Sequence, residues 1–393
     1  MTRNVAFCSP IHLPRDGVAI PARELVHYLS SRCNVVHFPL DHGIHDRAHY
    51  RRMAKEINRC DLLHVEHTHS FFKLPFFPFR EAYLDFLREV SIPRLAVYHE
   101  PVTRVPVYFP FGTDTAADLA VRALKYCAMT AAEPFANAFW LPWYNRQIFS
   151  LPERVVVHTE YRAAMVRRYA PEARISVIPA PVYGPMKRDE ERDAGFPLPF
   201  GSGDVVSTIF GFIDRRKDYL GALQALLRLP PEYKLIVAGG CFNESEYKMQ
   251  SSPYGRLMEF ARAHDLMERI HVTGFCPDWA IPKIMSASDF VIAPFLEDHS
   301  SGSINMGLAY SRPVIAYRTL LTKEMNRNGA GLILIDGKEQ LAQALLAGRS
   351  DQPVLARAIE EGSAYCRKYG FPAQEEQFTR WYEELLGAPA RRT

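Results

Sequence analysis

The sequence has no paired-cysteine motif, no zinc spacing, no long apolar run and no concentrated charge, and each absence removes a class of function. Its seven cysteines (Cys8, Cys33, Cys60, Cys127, Cys241, Cys276 and Cys366) are dispersed and odd in number, with no Cys-x-x-Cys pair. That pattern reads as reduced thiols, several of them packed in strands. No stretch approaches the roughly eighteen apolar residues that a membrane-spanning helix needs. Met1-Thr2-Arg3-Asn4 leads straight into a short apolar strand, without the apolar segment of a secretion signal. The cytoplasm is therefore the expected compartment. Lysine and arginine (47) nearly balance aspartate and glutamate (44), a net charge of +3. No basic run is interleaved with RNA-reading aromatics, so no nucleic-acid partner is expected. The Asp-x-Asp pair that would bridge a metal to a diphosphate is also missing.

Among fourteen histidines, His64, His67 and His69 stand out. On a strand, His64 and His67 face opposite sides, and only His67 and His69 share a face. Two ligands fall short of a metal centre, so polar side chains at a strand end are the plainer reading and no metal is expected.

What is present is ordinary in amount and ordered in pattern. A chain of 393 residues, 48% apolar and 23% charged, suits two soluble domains with full cores. Short apolar runs at Asn4–Ser9, Asn34–Pro39, Leu62–His67, Leu95–His99, Val155–His158 and Ile175–Pro179 read as buried strands. The patterns over Ile20–Ser31 and Tyr161–Tyr169 read as helices. A second series begins at Val205. Its strands are Val206–Phe210, Lys234–Ala238, His271–Thr273, Phe290–Pro294, Pro313–Tyr317 and Leu332–Ile335. Its helices are Tyr219–Leu227, Gly255–His264, Pro282–Ser286, Ser303–Ser311 and Lys338–Ala347. Strands alternating with helices imply parallel, doubly wound sheets, hence an α/β protein. Met186 to Gly203, rich in charge, proline and glycine, reads as a linker. The expected division is 1–185, a linker over 186–204, a second domain over 205–370 and a closing helix over 371–393. Phe378, Trp381, Tyr382 and Leu385 recur at helical spacing in that last segment, which is expected to pack back toward the first domain. The aromatic and proline-dense stretches at 71–79, 105–111 and 139–144 read as an irregular subdomain buried on the first sheet. Their functional reading is an acceptor groove or a surface touching lipid, as at the inner face of a membrane.

Three strand-to-loop junctions of the second series carry groups suited to a nucleotide diphosphate. They are Phe210-Gly211-Phe212-Ile213-Asp214-Arg215-Arg216-Lys217, Val237-Ala238-Gly239-Gly240, and Glu297-Asp298-His299-Ser300-Ser301-Gly302-Ser303. In an open parallel sheet, ligands bind beyond the carboxyl ends of the strands, where such junctions converge. Glycines admit close backbone approach, and a helix opening after Ser300-Ser301-Gly302 aims free N–H groups at an anion. Lys217, with Arg216 before it, supplies positive charge to a leaving diphosphate. Asp214 is an alternative cap for the helix that follows. Glu297 or Asp298 is placed to hold sugar hydroxyls, and Asn305 sits on the first turn of the next helix.

These motifs resemble a GT-B fold glycosyltransferase of the family 4 type, whose members are retaining enzymes that use nucleotide sugars. Gly211, Lys217, Gly239-Gly240, Gly274-Phe275-Cys276-Pro277, Asp289–Pro294 and Pro313-Val314-Ile315-Ala316 carry the likeness, clearest from Val205 to Leu346. The resemblance implies two Rossmann-like domains facing a cleft. It puts Phe275 and Cys276 near the base and Lys217 on the diphosphate. It places His99, in Tyr98-His99-Glu100, near the transferred sugar, and Gly17 in a glycine loop below the diphosphate, with His12 and Arg15 in reach of the acceptor. Two positions depart from the pattern: Phe212 replaces a diphosphate-contacting arginine, and Met306 replaces the carboxylate expected to hold the ribose.

The implied activity moves a hexose-type sugar from a UDP or GDP sugar, with no further cofactor, to a glycan, lipid-linked or small-molecule acceptor. No carboxylate is obviously placed as a nucleophile, so the leaving phosphate itself is expected to assist the incoming hydroxyl. Two other readings stand beside it. A nucleotide-sugar epimerase of the same fold would need acidic pairs in the first domain, where Glu66 and Glu100 are the candidates. A non-catalytic subunit would fit the loss of the arginine and the carboxylate.

Overall fold

β-Branched, apolar segments bury both faces of a strand, and here they form parallel sheets rather than antiparallel ones. The structure is a computed structural model describing residues 3–13, 16–74, 82–99, 116–186, 188, 192, 195–241, 244–298 and 302–387. The chain forms two units, Met1–Pro179 with Gln374–Thr393, and Ala180–Ala373.

In the first unit the strands are β1 (Asn4–Ser9), β2 (Asn34–Pro39), β3 (Leu62–His67), β4 (Arg94–Tyr98), β5 (Arg154–Val157) and β6 (Ile175–Val177). The helices are α1 (Ala19–Leu29), α2 (Arg47–Ile57), α3 (Tyr83–Glu89), α4 (Ala116–Phe135), α5 (Leu141–Ser150) and α6 (Glu160–Tyr169). All strand pairs are parallel, in the order β2-β1-β3-β4-β5-β6. The direction of winding reverses between β1 and β3, so the loops after those strands flank the crevice of this sheet.

In the second unit the strands are β7 (Val205–Phe210), β8 (Tyr233–Ala238), β9 (Ile270–Val272), β10 (Phe290–Ala293), β11 (Val314–Tyr317) and β12 (Ile333–Ile335). The helices are α7 (Tyr219–Leu226), α8 (Pro253–Ala263), α9 (Ile281–Ala287), α10 (Gly302–Ala309), α11 (Leu320–Arg327), α12 (Lys338–Ser350) and α13 (Gln352–Tyr369). The order β12-β11-β10-β7-β8-β9 is again fully parallel, with its reversal between β7 and β10. The last helix, α14 (Phe371–Gly387), carries Phe378, Trp381, Tyr382 and Leu385 buried, and from Gln374 onward it belongs to the first unit.

The sequence expectation for the aromatic stretches needs correction. Phe71, Phe72, Leu141 and Tyr144 are buried, but residues 139–144 are helical rather than irregular, and Phe139 and Trp143 are exposed. Pro134 lies inside α4, and a π-helical turn over Ala136–Trp140 follows it. Proline lacks an N–H and crowds the carbonyl four residues back, which widens the ladder there. Residues 75–79 and 105–111 of those stretches lie outside the described residues. Among the described residues, no helix is long and apolar enough to cross a membrane.

Candidate active site

At the carboxyl end of β7 the chain turns through Gly211 at φ +95°, a conformation that costs a side-chain-bearing residue strain. The Gly211 N–H donates to the Ala238 carbonyl (2.9 Å), and the Ile213 N–H to the Gly240 carbonyl (2.9 Å). The two glycine loops therefore run side by side. A Cβ on Gly239 would stand 2.2 Å from the Gly211 oxygen, and one on Gly240 would stand 2.4 Å from Tyr247 Oη. Only glycine fits at 239, where the neighbour is backbone; at 240 a side chain would have to displace the Tyr247 hydroxyl.

Lys217 lies under the Gly211 turn. Its Nζ donates to the carbonyls of Phe210 (3.0 Å) and Phe212 (2.8 Å) and lies 5.6 Å from the Phe295 ring centroid. Residue 217 also bridges Phe295, and Leu296 N–H donates to the Arg216 carbonyl at 2.8 Å. The loops after β7 and β10, the pair flanking the reversal, are thus tied together. Burial pushes the Lys217 ammonium down to about 8, with the nearby Asp214 charge opposing that fall. Asp214 accepts from Arg216 N (2.8 Å) and Nε (3.0 Å). Burial would raise the Asp214 carboxyl, but these bonds outweigh it and hold it below its ordinary range. Asp214 is not the helix cap. Asp218 is, accepting from Gly221 N (2.8 Å) and from Tyr317 Oη (3.0 Å).

Beyond β9, Gly274 takes φ +69° and presents Phe275, 47% exposed, with Phe212 6.5 Å away ring to ring. Cys276 is buried, its Sγ 2.9 Å from Thr273 Oγ1, which also accepts from Gly239 N at 3.1 Å. Gly211, Lys217, Gly239, Gly240, Phe275 and Cys276 are therefore gathered at neighbouring strand ends. Arg216 is nearby but bonded to Asp214.

The third junction is placed differently. Glu297 and Asp298 are exposed, and Asp298 Oδ1 accepts from Leu321 N (2.9 Å) at the start of α11. His299, Ser300 and Ser301 lie outside the described residues. Gly302 opens α10, where Ser303 is buried and Asn305 donates to the carbonyls of Ala180 (3.3 Å) and Pro181 (3.0 Å). Met306 is packed in the apolar cluster with Val182, Val291 and Tyr365.

In the first unit, Gly17 is exposed in the turn before α1, and a Cβ there would meet nothing within 4 Å among the described residues. Asp16 beside it accepts from Val18 N (2.7 Å) and Ala19 N (3.0 Å) at the approach to α1 and holds His42 at 2.7 Å. Arg15 and Glu100 lie outside the described residues. His67 is buried against Tyr83 and Tyr98, and burial keeps its imidazole well below its ordinary range, hence neutral. His99, at the end of β4, binds Glu66 Oε2 through Nε2 (2.5 Å), and its Nδ1 lies 3.3 Å from His158 Nε2. Glu66 Oε1 takes His64 Nε2 (3.0 Å), and His64 Nδ1 takes Tyr382 Oη (2.5 Å). Burial would raise the Glu66 carboxyl, but the two histidines outweigh it and hold it far below its ordinary range.

Glu66, His64, His158 and Tyr382 were missed as a unit by sequence reasoning. The one legible signal was a strand, Leu62–His67, whose charged and polar members sit among fully buried neighbours. Buried charge needs partners, but the sequence does not say which ones.

Residues 207–351 match the family described as Glycosyl transferases group 1, a match confined to the second unit. A glycosyltransferase from Rickettsia africae superposes with a TM-score of 0.69 at 15% identity, over 99% of this chain and 100% of that one. Anabaena HepE in complex with UDP superposes at 0.66 and 14% identity, over 98% and 100%. The chain has the GT-B fold. The sucrose-phosphate synthase of Thermosynechococcus elongatus shares this GT-B architecture at a TM-score of 0.65 and 14% identity, over 98% and 100%. Among curated proteins, the 2-deoxystreptamine glucosyltransferase of Streptomyces kanamyceticus is 28% identical over 284 residues. That alignment takes in 70% of this chain and 62% of the relative, so it spans under two thirds of the relative's length. Together the matches support a GT-B glycosyltransferase, and they favour neither an epimerase nor a non-catalytic subunit.

Proposed function

We propose that this protein is a retaining, metal-independent glycosyltransferase that moves a hexose-type sugar from a UDP or GDP sugar. The observation that carries the reading is the gathering of Gly211, Lys217, Gly239, Gly240 and Phe275 at the neighbouring carboxyl ends of β7, β8 and β9, on one side of the β7–β10 reversal. Glycine backbones leave room for a pyrophosphate, and Lys217 is a buried cation whose charge an anion would restore. The exposed Phe275, with Phe212 beside it, offers a ring face to a base. Similar proteins lean the same way: HepE was crystallised with UDP and glucose, and the Streptomyces kanamyceticus relative is a glucosyltransferase.

On this reading the second unit holds the nucleotide sugar and the first receives the acceptor, with His99 donating to a sugar hydroxyl. Departure of the diphosphate leaves positive charge at the anomeric carbon, and a phosphate oxygen on the departing face accepts the proton of the incoming hydroxyl. The acceptor is a glycan, a glycolipid or a small molecule. The exposed Phe139 and Trp143 supply an apolar surface for a lipid-bearing one at the cytoplasmic face of a membrane. The deciding experiment is a melting-temperature screen against UDP, GDP and their hexose derivatives, followed by assay of slow sugar release from whichever binds. A stabilising shift with release of free sugar is expected. Absence of any nucleotide-dependent shift removes the reading.

A further inference from the structure

The buried polar chain of the first unit has a proton count that its geometry decides. The Ile178 carbonyl can only accept, so His158 Nδ1, 3.0 Å away, carries a hydrogen. Were His158 and His99 both neutral, with His99 Nε2–H turned to Glu66, two lone pairs would face each other across the 3.3 Å between His158 Nε2 and His99 Nδ1. That arrangement is repulsive, so a further proton belongs between the rings. Among the described residues, only one of the two rings touches a carboxylate: His99, through Glu66 Oε2. His158 is buried and, among the described residues, has no carboxylate partner, which disfavours charge on it.

We propose that Glu66 and His158 are positioning residues that keep His99 an imidazolium, so that it meets a ligand as a cation and hydrogen-bond donor and never as a base. Glu66 is itself held as a carboxylate by the second donor, His64 Nε2–H, whose other nitrogen accepts from Tyr382. His99 is the member that reaches solvent, with 16% of its side chain exposed against 5% for Glu66 and none for His64. The longer bond to His158, at 3.3 Å, is the one a ligand oxygen would replace. Of the other titratable groups felt along this chain among the described residues, His67 is neutral and Arg162 opposes added positive charge. The carboxylate contact is what offsets Arg162.

The inference deepens the assignment of His99 to a sugar hydroxyl, but its first test does not depend on that assignment. Protein labelled with 15N-histidine is examined at pH 7.5 without ligand, His99 being assigned by its disappearance in His99→Gln. Two protonated ring nitrogens on His99 are expected, and a nitrogen with a free lone pair would overturn the proposal. In Glu66→Gln the doubly protonated signal should give way to a neutral ring, and its persistence would equally overturn the role of Glu66. Should that variant not fold, the wild-type spectrum decides alone. As a separate arm, His158→Gln is assayed for sugar release from whichever nucleotide sugar binds. Loss in kcat with KM little changed is expected, and unaltered kcat would count against a positioning role. If no nucleotide sugar binds while the spectra hold, the transferase reading fails and the proton assignment stands.

Discussion

Gly239 and Gly211 meet backbone to backbone, so closely that a Cβ on Gly239 would overlap the Gly211 oxygen at 2.2 Å. A backbone carbonyl held by its own strand cannot move aside cheaply. Gly239→Ala should therefore push the two loops apart, at about 1–3 kcal/mol of stability. The same displacement should weaken UDP binding. Urea unfolding and calorimetric titration together check this, and a variant of normal stability and affinity would show that the two loops yield freely.

Gly17 makes the opposite case. Among the described residues nothing lies within 4 Å of the Cβ it lacks, and its backbone needs no left-handed turn. Gly17→Ala should leave the melting temperature within the range of a surface change, about 0.5 kcal/mol. If the space is kept for a diphosphate, affinity for the nucleotide sugar should fall while stability does not. Equal affinity for the variant and the parent would remove Gly17 from the site.

Lys217 gives a pH dependence with a definite sign. Its ammonium is pushed down to about 8 from 10.5. Between those values the unfolded chain binds more protons than the folded one, so stability should climb as pH rises through that window. Nucleotide affinity should move the other way. Above about pH 8 the free protein has lost the charge, binding must take up a proton, and the Kd for UDP should rise by at most about tenfold per pH unit. Lys217→Met should weaken UDP binding by about 1–3 kcal/mol at pH 7 and abolish that slope. Titrations at pH 7, 8 and 9 decide it, and a slope that survives in Lys217→Met would place the titrating group elsewhere.

How far the sequence could be read follows from what kind of contact each feature rests on. Strands such as Asn4–Ser9 and the Val205–Phe210 segment were legible because a run buried on both faces has to be apolar throughout. The glycines at 211, 239 and 274 were legible because only glycine suits their turns or close approaches. The helix Arg47–Ile57 was not, since only Tyr50, Ala54 and Ile57 of its eleven residues are buried. Nor was α4 with its π-turn, where Pro134 argues locally against helix. Asn305 sits on the expected helix turn, yet its amide is spent on two backbone carbonyls. The His64–Tyr382 bond joins positions 318 residues apart, and no local pattern reports such a pairing.

That distant bond carries the last prediction. Tyr382 is buried on α14, and burial holds its hydroxyl protonated, so it donates to His64 Nδ1. Tyr382→Phe keeps the ring but strands a buried acceptor, at about 1–3 kcal/mol. Phe378→Ala, one helical turn earlier and tilted against the His64 ring with centroids 5.0 Å apart, opens a cavity instead, at about 3–5 kcal/mol. Both effects should appear in amide exchange at β3 and β4, the strands that hold Glu66 and His99. In Tyr382→Phe the freed His64 nitrogen also weakens the hold on Glu66, so any sugar release should fall further than the stability change accounts for. Faster exchange confined to α14, with β3 unaffected, would mean that the helix covers the first unit without ordering its polar core.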